Sequence, residues 1–498
     1  MFWFRKQCSF PKCTCPASSV AVKRNNNKCH TDEVKATRLE SDLLGGRNIP
    51  NEAYWGVHTL RAVENFPISG VPIGHYRSLI RGLGFIKEAS ASANLKLGVI
   101  TAEIAEPIIK ACIEVRDGKF DDQFVVDAIQ GGAGTSTNMN ANEVICNRAL
   151  EIAGFKKGEY QHIHPLNHVN ASQSTNDVYP TAIRVSMIIE IRALLEEIAY
   201  LRSTIDDKAE EFSEVLKMGR TQLQDAVPMT LGQEFAAWSQ TLSEDEGRLQ
   251  EMIPLLSEIN LGGTAIGTKL NTPTGYSQLV TDVLSEICEH EFFPAVNLIE
   301  ATSDTGVFVS VSSTFKRLAT KISKISNDLR LLSSGPRAGI NEINLPARQA
   351  GSSIMPGKVN PVIPEAVNEI AFTVIGNDLI VTMAAEAGQL QLNAFEPIIA
   401  RSLMMSVVYL RQGCHILAKF CISGITANVE HLRLTVENSI GLATALAPKL
   451  GYEKTSLIAK HASAMNMSVR EAVMDLGLMT EDEFNALLGD VRKLTGQD

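Results

Sequence analysis

Aromatic side chains are scarce in this sequence, at 6% of 498 residues with only three tryptophans. Cysteine is sparse as well, nine in all, and the five from Cys112 to Cys421 sit singly in apolar, helical-looking segments as buried reduced thiols do, which suggests a reducing compartment. A basic excess is missing: 46 Lys and Arg stand against 56 Asp and Glu, a net charge of −10. That balance argues against a general binder of nucleic acid or anionic membrane, so an anionic ligand has to be caught by a local site. No run of about 18 apolar residues offers a transmembrane helix, and a soluble, cytoplasmic protein is expected. A dinucleotide fingerprint, a phosphate loop and paired metal ligands are all lacking, which leaves no cofactor to assign.

What is present is a 45% hydrophobic chain long enough for two or three domains. Residues 1–31 differ in kind from the rest. Cys8, Cys13, Cys15 and Cys29 crowd there beside Arg5, Lys6, Lys12, Lys23, Arg24 and Lys28, with no acid before Asp32. A disordered, dispensable tail is the leading reading. A basic, acid-poor mitochondrial targeting extension is its alternative, and a zinc site with His30 fits no paired CxxC spacing.

The central third reads as long helices. Phe308, Val311, Phe315, Leu318, Ile322, Ile325, Leu329 and Leu332 recur at spacings of three and four, the seam of a helical bundle. Ile188, Ile191, Leu195 and Ile198 repeat it, and the stretches 228–256 and 365–420 are expected to be helical too. Strand-like alternation is scarce between 180 and 430. Helices this long seldom bury both faces within one chain, so a homo-oligomer sharing a bundle is expected. Near the C-terminus, Ser468 to Glu471 and Thr480 to Glu483 are capping-box starts separated by Gly477.

Between the helix ending near Leu332 and the one resuming near Pro364, four glycines and four prolines fall in residues 335–361. A compact domain seldom keeps so long a loop without a use for it. Three polar clusters interrupt the apolar pattern elsewhere: Gly131 to Asn140, Ser172 to Asp177, and Gly219 to Asp225. Each alone is explained by helix caps and Asx turns. Together their glycines, hydroxyls and amides suit carboxylate binding, since they donate hydrogen bonds without a permanent opposite charge. The loop adds a cation, Lys358, close to Ser352, Ser353 and Asn360.

The run Gly351-Ser-Ser-Ile-Met-Pro-Gly-Lys-Val-Asn-Pro361 resembles the signature of the fumarase/aspartase superfamily, and the other clusters agree in order and spacing from about Glu40 to about Gly489. The resemblance implies an all-α homotetramer, with a central helical bundle forming the tetramer core, a smaller mixed N-terminal domain and a small helical C-terminal domain. On this chain the divisions become 1–31, 32–175, 176–430 and 431–498. It implies active sites assembled from three subunits and a mobile signature loop. By resemblance Ser352 takes the Cβ proton; Ser353, Lys358 and Asn360, with Thr221, hold the adjacent carboxylate; Thr135, Ser174, Thr175 and Asn176 hold the remaining carboxylate and the amino group.

Within the superfamily, Ser174-Thr-Asn-Asp-Val-Tyr-Pro-Thr181 and Gly219-Arg-Thr-Gln-Leu-Gln-Asp-Ala226 are similar to aspartases. Fumarases place a titratable histidine where Gln222 stands, and Gln222 cannot relay a proton to a leaving hydroxyl. The implied reaction is loss of ammonia from L-aspartate to give fumarate. Hydration of fumarate, or a retired scaffold that only binds, are the alternatives. The resemblance names no cofactor; some aspartases are activated by divalent metal, and no ligands for one are identifiable. One departure is His164-Pro-Leu166-Asn167-His168, which loses an amide and a carboxylate near a secondary anion site of relatives and puts activator binding there in doubt. His164 and His168 read as turn and packing residues.

Overall fold

The chain is mostly helical, and the computed structural model describes residues 36–497. The basic segment 1–31, with its tail, targeting and zinc readings, lies outside the described residues. A hairpin of β1 (Thr37–Asp42) and β2 (Gly45–Pro50) leads into α1 (Val57–Asn65), α2 (Arg77–Lys96), α3 (Ala102–Arg116) and α4 (Thr135–Ile152). The long helices follow: α5 (Thr175–Glu211), a hairpin of β3 (Leu216–Thr221) and β4 (Gln224–Thr230), and α6 (Leu231–Leu256). Then come α7 (Tyr276–Cys288), α8 (Leu298–Ser303), α9 (Gly306–Leu332), α10 (Val362–Glu386) and α11 (Glu396–Phe420).

Five of these close a ring: α9 packs on α10, α10 on α11, α11 on α5, α5 on α6, and α6 back on α9. The seam read in the sequence is the buried face of α9, where Phe308, Val311, Phe315, Leu318, Ile322, Ile325, Leu329 and Leu332 all point inward. At 1.5 Å per residue, the 37 residues of α5 make a rod of roughly 55 Å. By composition α10 is long and apolar enough to cross a membrane. It instead packs between α9 and α11 and leaves Phe372, Leu379 and Met383 about 60% exposed in a stripe one to two turns apart.

Two expectations need correction. The helix expected over 228–256 starts at Leu231, because residues 216–230 form the β3–β4 hairpin. The stretch 365–420 is two helices. Asn393, fully buried, donates to the carbonyls of Ala384 (3.0 Å) and Ala385 (3.3 Å), satisfying the end of α10 and turning the chain.

After α12 (Val429–Asn438), short helices form a second apolar cluster of Val436, Leu446, Ile458, Val473 and Phe484, joined by Met218 of β3. Both capping boxes, Ser468 with Glu471 and Thr480 with Glu483, are formed.

Candidate active site

The first two polar clusters meet. Gly131–Gly134 form a tight loop in which Gly132 and Gly134 have φ of +89° and +86°, and Thr135 opens α4. A Cβ on Gly134 would lie 2.5 Å from the ring of Tyr179, so only glycine lets the start of α4 press against α5. Beside it Ser174 caps α5 in a capping box with Asp177. The Asn138 amide donates to Thr175 Oγ1 at 3.1 Å, tying the first turns of the two helices together. Two helix N-termini thus converge, and their unpaired N–H groups and dipoles favour an anion there. Thr135 is exposed and lines a cleft of about 390 Å³ with His58, Phe66 and Ser136.

Asp177 is buried and accepts backbone N–H from Ser174 (2.9 Å), Gly262 (3.1 Å) and Thr264 (2.9 Å). Burial pushes its carboxyl up to about 6, while these donors and the nearby Lys87 ammonium pull it down, so it is ionised at neutral pH. The Asn176 amide donates to the carbonyl of Ala265 at 2.8 Å.

The third cluster stands elsewhere. Thr221 is exposed at the tip of the β3–β4 hairpin, whose two turn residues Gln222 and Leu223 have φ of +54° and +65°, the left-handed pair of a tight hairpin turn. The hairpin borders a cleft of about 820 Å³ against the C-terminal helices, lined by Gln224, Asp225, Ser439 and Thr444. Its buried side anchors the irregular stretch that leads to the signature loop: Arg220 and Lys217 both pair with the fully buried Glu342, Lys217 at 2.7 Å.

In the signature loop Ser352 Oγ accepts backbone N–H from Ile354 (3.1 Å) and Met355 (3.0 Å). The loop closes on itself. Gly351 N donates to the Lys358 carbonyl at 2.7 Å, and the Asn360 amide donates to the Gly351 carbonyl at 2.8 Å. A Cβ on Gly351 would meet that Lys358 oxygen at 2.6 Å. Ser353 and Lys358 are exposed, with Ile354, Met355 and Val359 also open to solvent.

Within one chain the loop is far from the paired helix starts. Arg411 and His415 of α11 pair with Glu190 and Glu197, which aligns α11 with α5. Lys208 near the end of α5 donates to the Ile425 carbonyl at 2.9 Å, and Arg348 donates to the Phe420 carbonyl at 2.7 Å. The loop is therefore anchored beside the far end of α5, on the order of 50 Å from Thr175 at the helical rise. Four residues from Arg348 to Ser352 span only about 14 Å, which leaves Ser352 out of hydrogen-bond reach of Thr175.

Sequence reasoning missed Lys87, Asn138, Asn170 and Glu342 as parts of the site's support. A signal for Lys87 existed: it falls at a core position of α2, seven residues after Ile80 and four after Leu83, all fully buried. At the departure from the family pattern, His164 Nδ1 accepts N–H from Leu166 (3.0 Å) and Asn167 (3.2 Å), and His168 Nδ1 accepts from His164 N at 2.9 Å. Both imidazoles serve the turn.

Comparison with known proteins places the chain among lyases. Residues 45–376 match the family described as lyase, and residues 442–496 match the C-terminus of fumarase C. Aspartate ammonia-lyase from Pseudomonas canavaninivorans is 57% identical over 455 residues, 91% of this chain and 95% of that protein. The enzyme of the same name from Escherichia coli (strain K12) is 55% identical over 90% of this chain and 94% of its own length. Among solved structures, a fumarate lyase:delta crystallin from Brucella melitensis bound to cobalt superposes with a TM-score of 0.89 at 52% identity, covering 92% of this chain and all of that one. A class II fumarase from Schistosoma mansoni gives 0.87 at 34% identity over 93% of this chain and all of that one.

Proposed function

The chain belongs to the lyase family of the fumarase/aspartase superfamily, and from that membership we propose that it is an aspartate ammonia-lyase, converting L-aspartate to fumarate and ammonia. The observation that carries the chemistry is the pair of backbone N–H groups on Ser352 Oγ. A serine hydroxyl is a poor base at its ordinary pKa, and two N–H donors aimed at the oxygen stabilise the alkoxide over the alcohol.

The alkoxide takes the Cβ proton, and the electron pair of that bond moves into the neighbouring carboxylate to give the aci-carboxylate. The pair returns to form the Cα–Cβ double bond as the Cα–N bond breaks, and ammonia leaves with its electrons. A carbon acid next to a carboxylate is so weak that donors to the dianion supply most of the rate. Ser353, Lys358 and Asn360, with Thr221, fill that role. Thr135, Ser174, Thr175 and Asn176 hold the other carboxylate and the amino group at the paired helix N-termini. Every step is proton transfer or C–N cleavage, and none calls for a redox or group-carrying cofactor. Adding a divalent cation to chelator-treated enzyme tests metal activation.

Because Ser352 and Thr175 of one chain cannot meet, the working site takes them from different copies of the chain in a homotetramer. The exposed stripe of Phe372, Leu379 and Met383 on α10 supports this, being the kind of seam that helices bury against another copy. Mixing Ser352→Ala with Thr135→Ala, then dissociating and reassociating, tests the shared site. Activity returns if the parts come from different copies; reformed but inactive tetramers overturn it.

Ultraviolet absorbance of fumarate formed from L-aspartate, with L-malate alongside, tests the reaction. Turnover of malate without aspartate would favour the hydratase reading, against which Gln222 already stands. Turnover of neither would favour a scaffold without activity, although Thr135, Ser352 and Lys358 are all present in the sequence.

A further inference from the structure

The chemistry above makes no use of Lys87, a lysine with no exposed surface. Its Nζ donates to Asn170 Oδ1 at 2.9 Å and to Gln173 Oε1 at 2.9 Å. That same Asn170 oxygen accepts from Asn138 Nδ2 at 3.1 Å and from Asn142 Nδ2 at 3.2 Å. Asn138 Nδ2 also reaches Thr175 Oγ1 at 3.1 Å. The chain of bonds runs unbroken from a buried ammonium to a residue at the paired helix N-termini.

The direction of such a chain is not free. A carboxamide can present either its oxygen or its NH₂, and which one faces a neighbour is decided by the partners around it. An ammonium carries donors only, so Asn170 and Gln173 must turn their oxygens toward Lys87. With its oxygen fixed, Asn170 can receive Asn138 only through the Asn138 NH₂. Asn138 then donates to Thr175 Oγ1, and the Thr175 hydroxyl hydrogen is left to point away, toward whatever lies at the helix starts. Burying a lysine is costly, and a methionine would fill the same space between α2, α3 and α5 without that cost. The charge is compensated by Asp177, which caps α5 beside it.

We propose that Lys87 is a positioning residue that fixes the polarity of the Asn170–Asn138–Thr175 chain, so that the Thr175 hydroxyl donates to the substrate carboxylate instead of accepting from its surroundings. Without a donor-only group at position 87, only the 3.3 Å bond from Asn170 Nδ2 to the Gln173 carbonyl still favours this orientation, and Asn170, Asn138 and Asn142 can flip together. Thr175 then donates inward and turns a lone pair toward an anionic ligand. The inference rests on the placement of an aspartate carboxylate at Thr175 proposed above.

The test compares Lys87→Met, Asn138→Leu, Thr175→Val and the double variant Asn138→Leu/Thr175→Val, each checked for tetramer and helix content. Expected for each single variant is a rise in the KM for L-aspartate of about tenfold, the order of one hydrogen bond to a charged group, with kcat changed much less. The double variant should bind no more weakly than Thr175→Val, because both changes break the same chain. Loss of packing alone would lower stability and kcat without that selective, non-additive effect on KM. A normal KM for Thr175→Val overturns the substrate placement itself. A raised KM for Thr175→Val, with normal KM in folded Asn138→Leu and Lys87→Met, overturns the role of Lys87 and leaves the placement standing. If Lys87→Met does not fold, Asn138→Leu and the double variant decide: additive effects, or a normal KM, overturn the chain.

Discussion

Asn138 and Thr175, 37 residues apart, share a 3.1 Å hydrogen bond that brings the first turns of α4 and α5 side by side. Two polar runs that each look like an ordinary helix cap become, through that bond, one surface with two positive helix ends. Neither run needs a formal charge of its own to hold a carboxylate.

Replacing the proposed base is the sharpest test of the chemistry. Ser352→Ala should lower kcat by several orders of magnitude, since a positioned base contributes roughly 3–5 kcal/mol to the barrier and nothing adjacent replaces it. The dissociation constant for aspartate should move by less than about tenfold, the worth of one hydrogen bond. Single-turnover kinetics with calorimetry separates the two numbers, and a near-normal kcat would remove Ser352 from this role.

Gly351 offers a quieter perturbation of the same loop. An added methyl at this position runs into the Lys358 carbonyl at 2.6 Å and the Asn360 backbone nitrogen at 2.8 Å, so the closure of the loop has to open. Gly351→Ala should cost at least about tenfold in kcat, while the thermal midpoint stays within about 2 °C because so little of the loop is buried. A parallel fall in both would place Gly351 in the folding of the chain instead.

Acidity follows from Lys87 with a definite sign. Burial pushes its ammonium from 10.5 down to about 7, against the pull of Asp177 on α5, with the Cys112 thiol of α3 also facing it. Asp177, at about 6, keeps its charge as the pH rises from neutrality. Above pH 7 Lys87 therefore sheds its proton, gains a lone pair and no longer dictates which way Asn170 turns. The KM for aspartate should rise between about pH 6 and about pH 8.5 in the wild type, with a flatter profile in Lys87→Met. Identical slopes in the two would show that Lys87 does not titrate in this range.

The ring of helices was legible wherever one face of a helix is apolar, as along Phe308 to Leu332. The β3–β4 hairpin was not. Gly219 and Pro228 are poor strand residues, and the buried Met218 serves a core made mostly by residues beyond Val436, which no local pattern announces. The break between α10 and α11 was hidden because Leu390 and Leu392 continue the apolar rhythm, while the turn is decided by the buried amide of Asn393. In the site, the residues of the signature loop could be read directly as a set. Lys87, Asn138 and Asn170 could not, because their meaning is a direction of hydrogen bonding that exists only once three segments pack together.

On the proposed shared site, the length of α5 also sets the kinetic order of the enzyme. One chain carries the paired starts of α4 and α5, where we propose that a carboxylate is held, at one end of a rod of roughly 55 Å, and the signature loop with its proposed base beside the other. If the site is shared as proposed, an isolated copy is two unmatched halves, and catalysis becomes a property of encounters between copies. On dilution below the dissociation constant of the assembly, rate should fall as a power of chain concentration greater than one, and recover with a lag when the protein is concentrated again.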